Sequence, residues 1–137
     1  MVFIPICIQS RHWVLGALDL DNMHMAVYDT YRPSVYEAPF ASMMQKFSKI
    51  LPNLFKKLRD FPGIRSSKNF CWDYADDVPQ QMGATGDYGV WVCKFLSRMV
   101  VGEAISATGG AREEARQFRY QMAEILYATG HAVPHGD

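Results

Sequence analysis

The residues best suited to chemistry are a histidine and an aspartate at the ends of two predicted strands. His12 opens the segment HWVLGALDL, and Asp29 closes the segment MHMAVYD, seventeen positions later. Asp21 and Asn22 lie midway between them and are typical turn residues. A hairpin brings the start of one strand beside the end of the next, so we expect His12 and Asp29 to be neighbours. An imidazole beside a carboxylate is the base and its orienting partner in a nucleophilic triad, although the same contact also occurs in purely structural roles.

A pair of glutamines begins a loop that contains two glycines, QQMGATGD, and this loop leads into the most apolar segment of the chain. That segment, Tyr88 to Gly102, predicts a helix buried on most sides, and Asp87 is its predicted N-cap. A helix N-terminus offers free N–H groups and the positive end of a dipole, which together stabilise anions. A nearby amide side chain can complete an oxyanion hole, and Gln81 fits that role.

The elements that must position these residues can be predicted from periodicity. Short apolar runs predict three strands, and apolar residues at helical spacing from Pro39 onward predict a helix that Pro52 ends or restarts. A second short helix is expected to turn Leu54, Phe55 and Leu58 inward. Its basic residues are read mainly as a solvated face, with partner contact as the alternative: Lys56, Lys57 and Arg59. The predicted order is strands Val2–Ile8, Trp13–Leu20 and Met23–Asp29, helices Phe40–Leu51 and Asn53–Arg59, strand Phe70–Val78, and helices Tyr88–Gly102 and Ala111–Ala128. This order indicates a single α+β domain over residues 1–137.

Composition narrows the class of protein. The 137 residues carry 14 Lys+Arg and 14 Asp+Glu, and 49% are hydrophobic. The chain can therefore fill a core, and its neutrality argues against a nucleic-acid partner. No segment is apolar enough to cross a membrane, and no cofactor or metal site is indicated. Three widely spaced cysteines without a CxxC pair indicate a reducing, intracellular compartment. We expect all three to be buried: Cys7, Cys71 and Cys93.

In combination, these motifs resemble a known family. The pattern HWVL, then YDT, then PQQ, then DYGVWVCKF is similar to the SUMO-specific (ubiquitin-like protein) cysteine proteases, and the final helix resembles plant members related to transposon-borne genes. The resemblance covers nearly the whole chain. It implies a papain-like cysteine protease fold of the ubiquitin-like protease type, with a short mixed sheet packed on a buried central helix.

The resemblance also implies roles and a partner. His12 would be the general base, Asp29 its orienting partner and Gln81 the oxyanion donor. The loop after the glutamines is one residue longer than in the yeast-type pattern, which leaves Gln80 as an alternative donor. Trp13 would line the tunnel that holds the Gly-Gly tail of a ubiquitin-like protein, or it is simply a core aromatic. The implied partner is a SUMO-type ubiquitin-like protein or its conjugates.

Two departures from the family pattern bear on activity. The family places its nucleophilic cysteine between Asp and Gly, and here the triplet is Asp87-Tyr88-Gly89. A phenol has a pKa near ~10 and a bulky ring, so Tyr88 cannot replace a thiolate. Cys93 lies five residues along the helix, about 7 Å of rise away, and is expected to be core. Relative to the family, we also expect the sequence to be N-terminally truncated, with impaired substrate docking.

Three hypotheses follow. The chain is an active cysteine-type peptidase for ubiquitin-like modifiers, or an impaired family member, or an unrelated small α+β binding module. The impaired member would be a pseudoprotease that binds a ubiquitin-like protein or another partner, or a decayed transposon-derived product. The missing thiol favours the impaired member, with Tyr88 in the first turn of the central helix and His12 bonded to Asp29. His24, His131 and His135 carry little signal for metal binding, and the acidic residues Asp73, Asp76 and Asp77 are read as solvated charge.

Overall fold

The sheet has four strands in the order β1-β2-β3-β4, and three helices flank it in the part of the chain described by the computed structural model, residues 1–57, 69–83, 85–105 and 110–132. The elements are β1 (Val2–Ile8), β2 (His12–Asp19), β3 (His24–Tyr28), α1 (Ser34–Lys57), β4 (Cys71–Tyr74), α2 (Tyr88–Val100) and α3 (Ala111–Ala132). This mixed sheet with its helices confirms the predicted α+β class.

The β2–β3 hairpin sets the register on which the candidate site depends. Its antiparallel ladder pairs Leu15 with Tyr28 and Asp19 with His24. The Asp19 carboxylate closes the turn, accepting hydrogen bonds from the backbone N–H of Asp21 at 2.9 Å and of Asn22 at 3.2 Å. The side-chain amide of Asn22 also donates to this carboxylate, at 2.7 Å, and it is the main cause, ahead of the two backbone bonds, of a pKa of Asp19 below its ordinary value. Hydrogen bonds to the Asp19 side chain therefore stabilise the turn, which lacks the Asn-Gly sequence typical of tight hairpin turns.

Alternation along the strands divides the core into two layers. Val14 of β2 and Val27 of β3 face one side of the sheet and pack with Phe40 and Met44 of α1. Leu15 faces the other side and packs with the α2 cluster that includes Trp91 and Phe95. Both faces of the sheet are therefore covered by helix, which explains why β2 is apolar at successive positions.

The prediction that Pro52 divides two helices is wrong, because α1 runs without a break from Ser34 to Lys57. Buried residues recur along one face at four-residue or three-residue intervals, and Pro52 itself is part of that buried face. Packing of this continuous stripe offsets the backbone hydrogen bond that proline removes. The expected inward-facing Leu54 is 47% exposed, whereas Phe55 is buried as predicted. Leu58 and Arg59 lie outside the described residues.

Other element ends differ from expectation. The predicted strand over Phe70–Val78 is ordered as β4 only from Cys71 to Tyr74, where it pairs in parallel with β3. Helix α3 extends to Ala132. The sequence predicts an apolar stripe facing inward along this helix, which is covered only in its first half: Ala115, Phe118, Met122, Ile125 and Leu126. Ala115 is fully buried, but Ile125 and Leu126 are 65% and 70% exposed. Amphipathic periodicity therefore identifies the apolar face of a helix, but it does not show whether another element packs against that face.

None of the helices in the described segments is both long and apolar enough to span a membrane.

Candidate active site

The geometry of the hairpin brings His12 and Asp29 together as predicted. The strand register pairs Leu15 with Tyr28, and one position further along it sets Asp29 opposite Val14. His12 lies two positions before Val14, so it is a diagonal neighbour of Asp29 on the same face of the sheet. The Nε2 atom of His12 lies 2.8 Å from Oδ1 of Asp29. The same carboxylate oxygen accepts the backbone N–H of Tyr31 at 2.9 Å. Both side chains are buried, so the pair is shielded from competing water.

Three tyrosine rings surround the imidazole, which has no exposed surface. Tyr36 of α1 stacks on His12 with ring centroids 5.2 Å apart and planes at 7°. Tyr88 meets it edge-on at 4.6 Å, and Tyr31 lies edge-on at 6.2 Å. The second ring nitrogen, Nδ1, is buried and has no hydrogen-bond partner among the described residues. The imidazole is therefore oriented through one nitrogen, while the other is unsatisfied.

Tyr88 is the first residue of α2, as the sequence predicted, and its side chain is buried. Burial raises the pKa of its phenol above the ordinary value of 10, and the neighbouring Tyr31 and Tyr36 raise this pKa further. The phenol therefore stays protonated at neutral pH. Its ring also stacks on Tyr31 at a centroid distance of 5.8 Å, which fixes it inside the tyrosine cluster.

The glutamine loop is tied to the end of β3 beside the His–Asp pair. Gln81 is buried, its backbone N–H donates to the carbonyl of Thr30 at 2.7 Å, and its side-chain amide donates to the Thr30 hydroxyl. Thr85 in turn donates to Oε1 of Gln81. The amide nitrogen of Gln80 donates to the carbonyl oxygens of Asp29 at 2.9 Å and Val78 at 3.1 Å. Since an amide has two N–H groups, Gln80 has committed both, whereas Gln81 donates only one of them to a described residue.

Asp87 is the N-cap residue of α2, as the sequence predicts, but its side chain makes no capping hydrogen bond. Its carboxylate instead accepts hydrogen bonds from Arg119 of α3, from Nη2 at 2.6 Å and from Nε at 3.1 Å. A forked guanidinium provides a stronger, charge-assisted pairing than a backbone N–H does, which explains the exchange of partners. The ion pair ties α3 to the residue that immediately precedes Tyr88.

Trp13 is 42% exposed and follows His12 in β2. Its neighbours in the strand, His12 and Val14, are fully buried, so alternation turns the indole away from the layer that holds the imidazole. The alternative interpretation of Trp13 as a core aromatic is inconsistent with this exposure. The indole is therefore exposed on the opposite side of β2 from the imidazole.

The cysteines differ from expectation. Cys93 and Cys71 are exposed and Cys7 is only partly buried, so the prediction that all three are core residues is wrong. Cys93 points outward from α2 while the adjacent Val92 and Lys94 are buried. Five residues of helix turn Cys93 by about 140° from Tyr88, so its thiol faces solvent rather than the buried imidazole. The short apolar context of these cysteines did not reveal on which face each would lie.

Several residues of the site carry no recognisable motif. Tyr36 reaches His12 only because α1 folds back over the sheet, and Arg119 reaches Asp87 from 32 positions away. Thr30 is the exception, since it directly follows Asp29 in the YDT motif and is fully buried. The exposed His24 pairs with Asp73 across β3 and β4 at 3.1 Å, away from this site. Within the described ranges, no three His, Cys, Asp or Glu side chains are grouped so as to hold a metal ion.

A family model described as the Ulp1 protease family, C-terminal catalytic domain, matches residues 1–133. The chain belongs to this family, which confirms the resemblance inferred from the sequence.

Solved structures agree on the fold. The chain is similar to a SUMO protease Ulp1 with the catalytic cysteine oxidized to a sulfenic acid, at 21% identity and a TM-score of 0.58, covering 93% of this chain and 52% of that chain. It is also similar to a SUMO protease Ulp1 with that cysteine oxidized to a sulfonic acid, at 23% identity and a TM-score of 0.58, over 93% and 53% of the two chains. The chain thus spans about half the length of these solved chains. A comparison with curated proteins gave no match.

Proposed function

We propose that this chain is a catalytically impaired SUMO-protease domain that retains the general base and binds a ubiquitin-like protein. In this proposal His12 is the base, Asp29 orients it and Gln81 supplies the oxyanion donor, while Tyr88 stands where the nucleophilic thiol would be. The family and the solved SUMO proteases support the substrate class, and a nuclear or cytoplasmic location accompanies it.

The observation that carries the proposal is the unsatisfied Nδ1 of His12. A buried nitrogen without a hydrogen bond lowers the stability of the folded chain by about 1–3 kcal/mol. Such a nitrogen is expected where its partner comes from another molecule, or where the residue that once bonded to it has been replaced. Asp29 holds the imidazole through Nε2, which leaves Nδ1 as the atom that would take a proton from a nucleophile. A thiol in the first turn of α2 would be such a partner.

Tyr88 cannot supply that chemistry. Burial raises the pKa of its phenol, so little phenolate exists at neutral pH. Its ring stands edge-on to the imidazole rather than presenting its hydroxyl to Nδ1, which has no partner in the described part of the chain. Acyl transfer requires a nucleophile within hydrogen-bond reach of its base, and this arrangement lacks one.

The choice between the two glutamines rests on their hydrogen bonds. Both N–H groups of Gln80 are used by backbone carbonyls, so this side chain fixes the loop. Gln81 donates only one of its two amide N–H groups to a described residue, Thr30. We therefore assign Gln81 to the oxyanion role and Gln80 to positioning the loop.

The test is cleavage of a SUMO precursor by the natural chain and by Tyr88→Cys, with Tyr88→Ala as the matched control that opens the same space without a thiol. We expect Tyr88→Cys to cleave the precursor, and the natural chain and Tyr88→Ala to leave it intact. The double variant Tyr88→Cys/Cys93→Ser should cleave it as well as Tyr88→Cys does. Cleavage by the natural chain would contradict impairment. Failure of Tyr88→Cys in a chain that remains folded would contradict the assignment of the base and the nucleophile position.

Binding is tested separately from cleavage. We expect the natural chain to bind immobilised SUMO, and Trp13→Ala to weaken that binding, because exposed tryptophans contribute about 2 kcal/mol or more at interface hot spots. Tyr120→Ala, which removes an exposed aromatic of α3, is the matched control. Equal binding by Trp13→Ala and the natural chain would contradict the assigned role of Trp13, and absence of binding by the natural chain would favour a decayed product.

A further inference from the structure

A groove runs between the glutamine loop and α3, beside the candidate active site, with which it shares Gln80 and Gln81. It consists of two concavities that share Thr85 and Arg112 as lining residues. The first, about 260 Å³, is uncharged apart from Arg112 and is lined also by Gln80, Gln81, Met82, Gly110 and Ala111. The second, about 380 Å³, is lined also by Asp87, Arg116 and Arg119. We call the two together the arginine groove.

Positive charge is concentrated at one end of the arginine groove. Arg112, Arg116 and Arg119 follow each other at four- and three-residue spacing, so they share one flank of α3. Arg119 pairs with Asp87 and Arg116 pairs with Glu113. Arg112 is exposed and forms no ion pair with any carboxylate in the described ranges. The lining of the second concavity therefore holds three cations and one anion.

The uncharged end offers a different kind of contact. Met82 is 96% exposed, which is unusual for a large apolar side chain, and it borders the first concavity. A ligand that spans the groove would meet an apolar side chain and an amide side chain at one end and guanidinium groups at the other. Such an alternation of contacts suits a short peptide with mixed side chains better than it suits a small ion.

We propose that the arginine groove binds an acidic segment of a protein partner, with a carboxylate on Arg112 and its apolar neighbours against Met82. Guanidinium groups bind carboxylates through two parallel hydrogen bonds, which gives both charge and geometric selectivity. A nucleic acid is disfavoured because the chain has no net charge and the Asp87 carboxylate would repel a continuous run of phosphates. This inference does not depend on the proposed loss of catalysis, since no residue of the His–Asp pair contributes.

The ion pair between Asp87 and Arg119 provides a second test of the proposal. Its carboxylate already occupies Arg119, so a bound acidic segment would compete with Asp87 for that guanidinium. Replacing Asp87 by Asn would release Arg119 and remove a like charge. We therefore expect Asp87→Asn to bind an acidic peptide more tightly than the natural chain does, whereas Arg112→Gln would bind it more weakly.

The experiment is fluorescence anisotropy with the full chain and a rhodamine-labelled octapeptide of alternating Glu and Ala, in low salt. The same octapeptide with Gln in place of Glu is the ligand control, and Lys46→Gln, which removes one exposed charge of α1, is the matched protein control. We expect Arg112→Gln to weaken binding about fivefold, as for a favourable exposed ion pair, and Lys46→Gln to leave it unchanged. We expect Asp87→Asn to strengthen it.

Three results would overturn the proposal. The first is equal binding of the Glu and Gln octapeptides, which would exclude carboxylate recognition. The second is equal weakening by Arg112→Gln and Lys46→Gln, which would indicate a diffuse charge effect. The third is tighter binding of an eight-nucleotide single-stranded DNA than of the Glu octapeptide, which would make the groove a nucleic-acid site. Circular dichroism of each variant establishes that it is folded.

Discussion

The ring of Tyr88 stands at 84° to the imidazole of His12, with the two ring centroids 4.6 Å apart. The Tyr88 ring therefore fills the space beside the imidazole, at the position proposed for the nucleophile. Together with Tyr31 and Tyr36 it leaves His12 without exposed surface. A Tyr88→Cys substitution therefore changes two properties at once, the nucleophile and the access to it.

In the Tyr88→Cys background, we expect Asp29→Asn to lower kcat by at least about 100-fold, because a misoriented or wrongly protonated imidazole cannot act as a general base. The substitution keeps the size of the side chain, and its amide can still accept the Tyr31 N–H. The measurement is kcat and KM on a SUMO precursor. A change confined to KM would show that Asp29 contributes to substrate binding and not to the base.

Tyr36 is a positioning residue, since it stacks flat on His12 without being part of the predicted triad. In the Tyr88→Cys background we expect Tyr36→Ala to lower kcat about two- to tenfold, in line with the 0.5–1.5 kcal/mol of an aromatic pair, and Tyr36→Phe to keep activity. The imidazole ¹⁵N chemical shifts should change in Tyr36→Ala and stay in Tyr36→Phe. Faster cleavage by Tyr36→Ala would mean that the ring blocks the base.

The pKa of Tyr88 predicts how stability depends on alkaline pH. Burial raises the pKa in the folded chain above the value near ~10 of an unfolded tyrosine, so the folded state holds the proton more tightly. This contribution is fully present below about pH 10 and is lost as the pH rises through the folded pKa. We expect the Tm of the natural chain to fall more than the Tm of Tyr88→Phe as the pH is raised above about 10. Tyr28 and Tyr74, whose pKa values burial also raises, contribute equally to both proteins.

The buried ion pair between α2 and α3 supports the helix that begins at Tyr88. Lys94 Nζ lies 2.5 Å from Glu114 Oε2 and 4.9 Å from the centroid of the Trp91 ring. Lys94→Met should lower the free energy of unfolding by about 3 kcal/mol, because it removes the ammonium group that pairs with the buried Glu114 carboxylate. Lys94→Met/Glu114→Leu should recover most of that loss, as measured by urea unfolding. A double variant no more stable than the single one would contradict this account.

The parts of the fold that could be predicted are those determined by local pattern. Alternating side chains and a polar turn predict the β2–β3 hairpin, and the hairpin alone brings His12 to Asp29. The apolar run from Tyr88 predicts α2, which begins at that residue. Each of these predictions uses residues that are near in sequence, so the periodicity of one or two elements is enough to predict the structure.

The parts that could not be predicted depend on contacts between distant elements. Pro52 continues α1 because its face is buried by the sheet, which no local rule contains. The Asp87 side chain pairs with Arg119 instead of making a capping hydrogen bond to α2, and Tyr36 covers His12 from the start of α1. Cys93 and Leu126 were expected inside because apolar neighbours surround them in sequence, but exposure depends on which face a second element covers.

The parallel pairing of β3 with β4 has a consequence for how the site forms during folding. His12 and Asp29 are 17 positions apart and lie in one hairpin, whereas Asp29 and Gln80 are 51 positions apart and meet only after α1 and β4 are in place. Long-range contacts form more slowly than local ones because the intervening chain must first be ordered. We therefore expect the base pair to assemble early and the glutamine loop late, so that amide protons of β2 gain protection from exchange before that of Gln81.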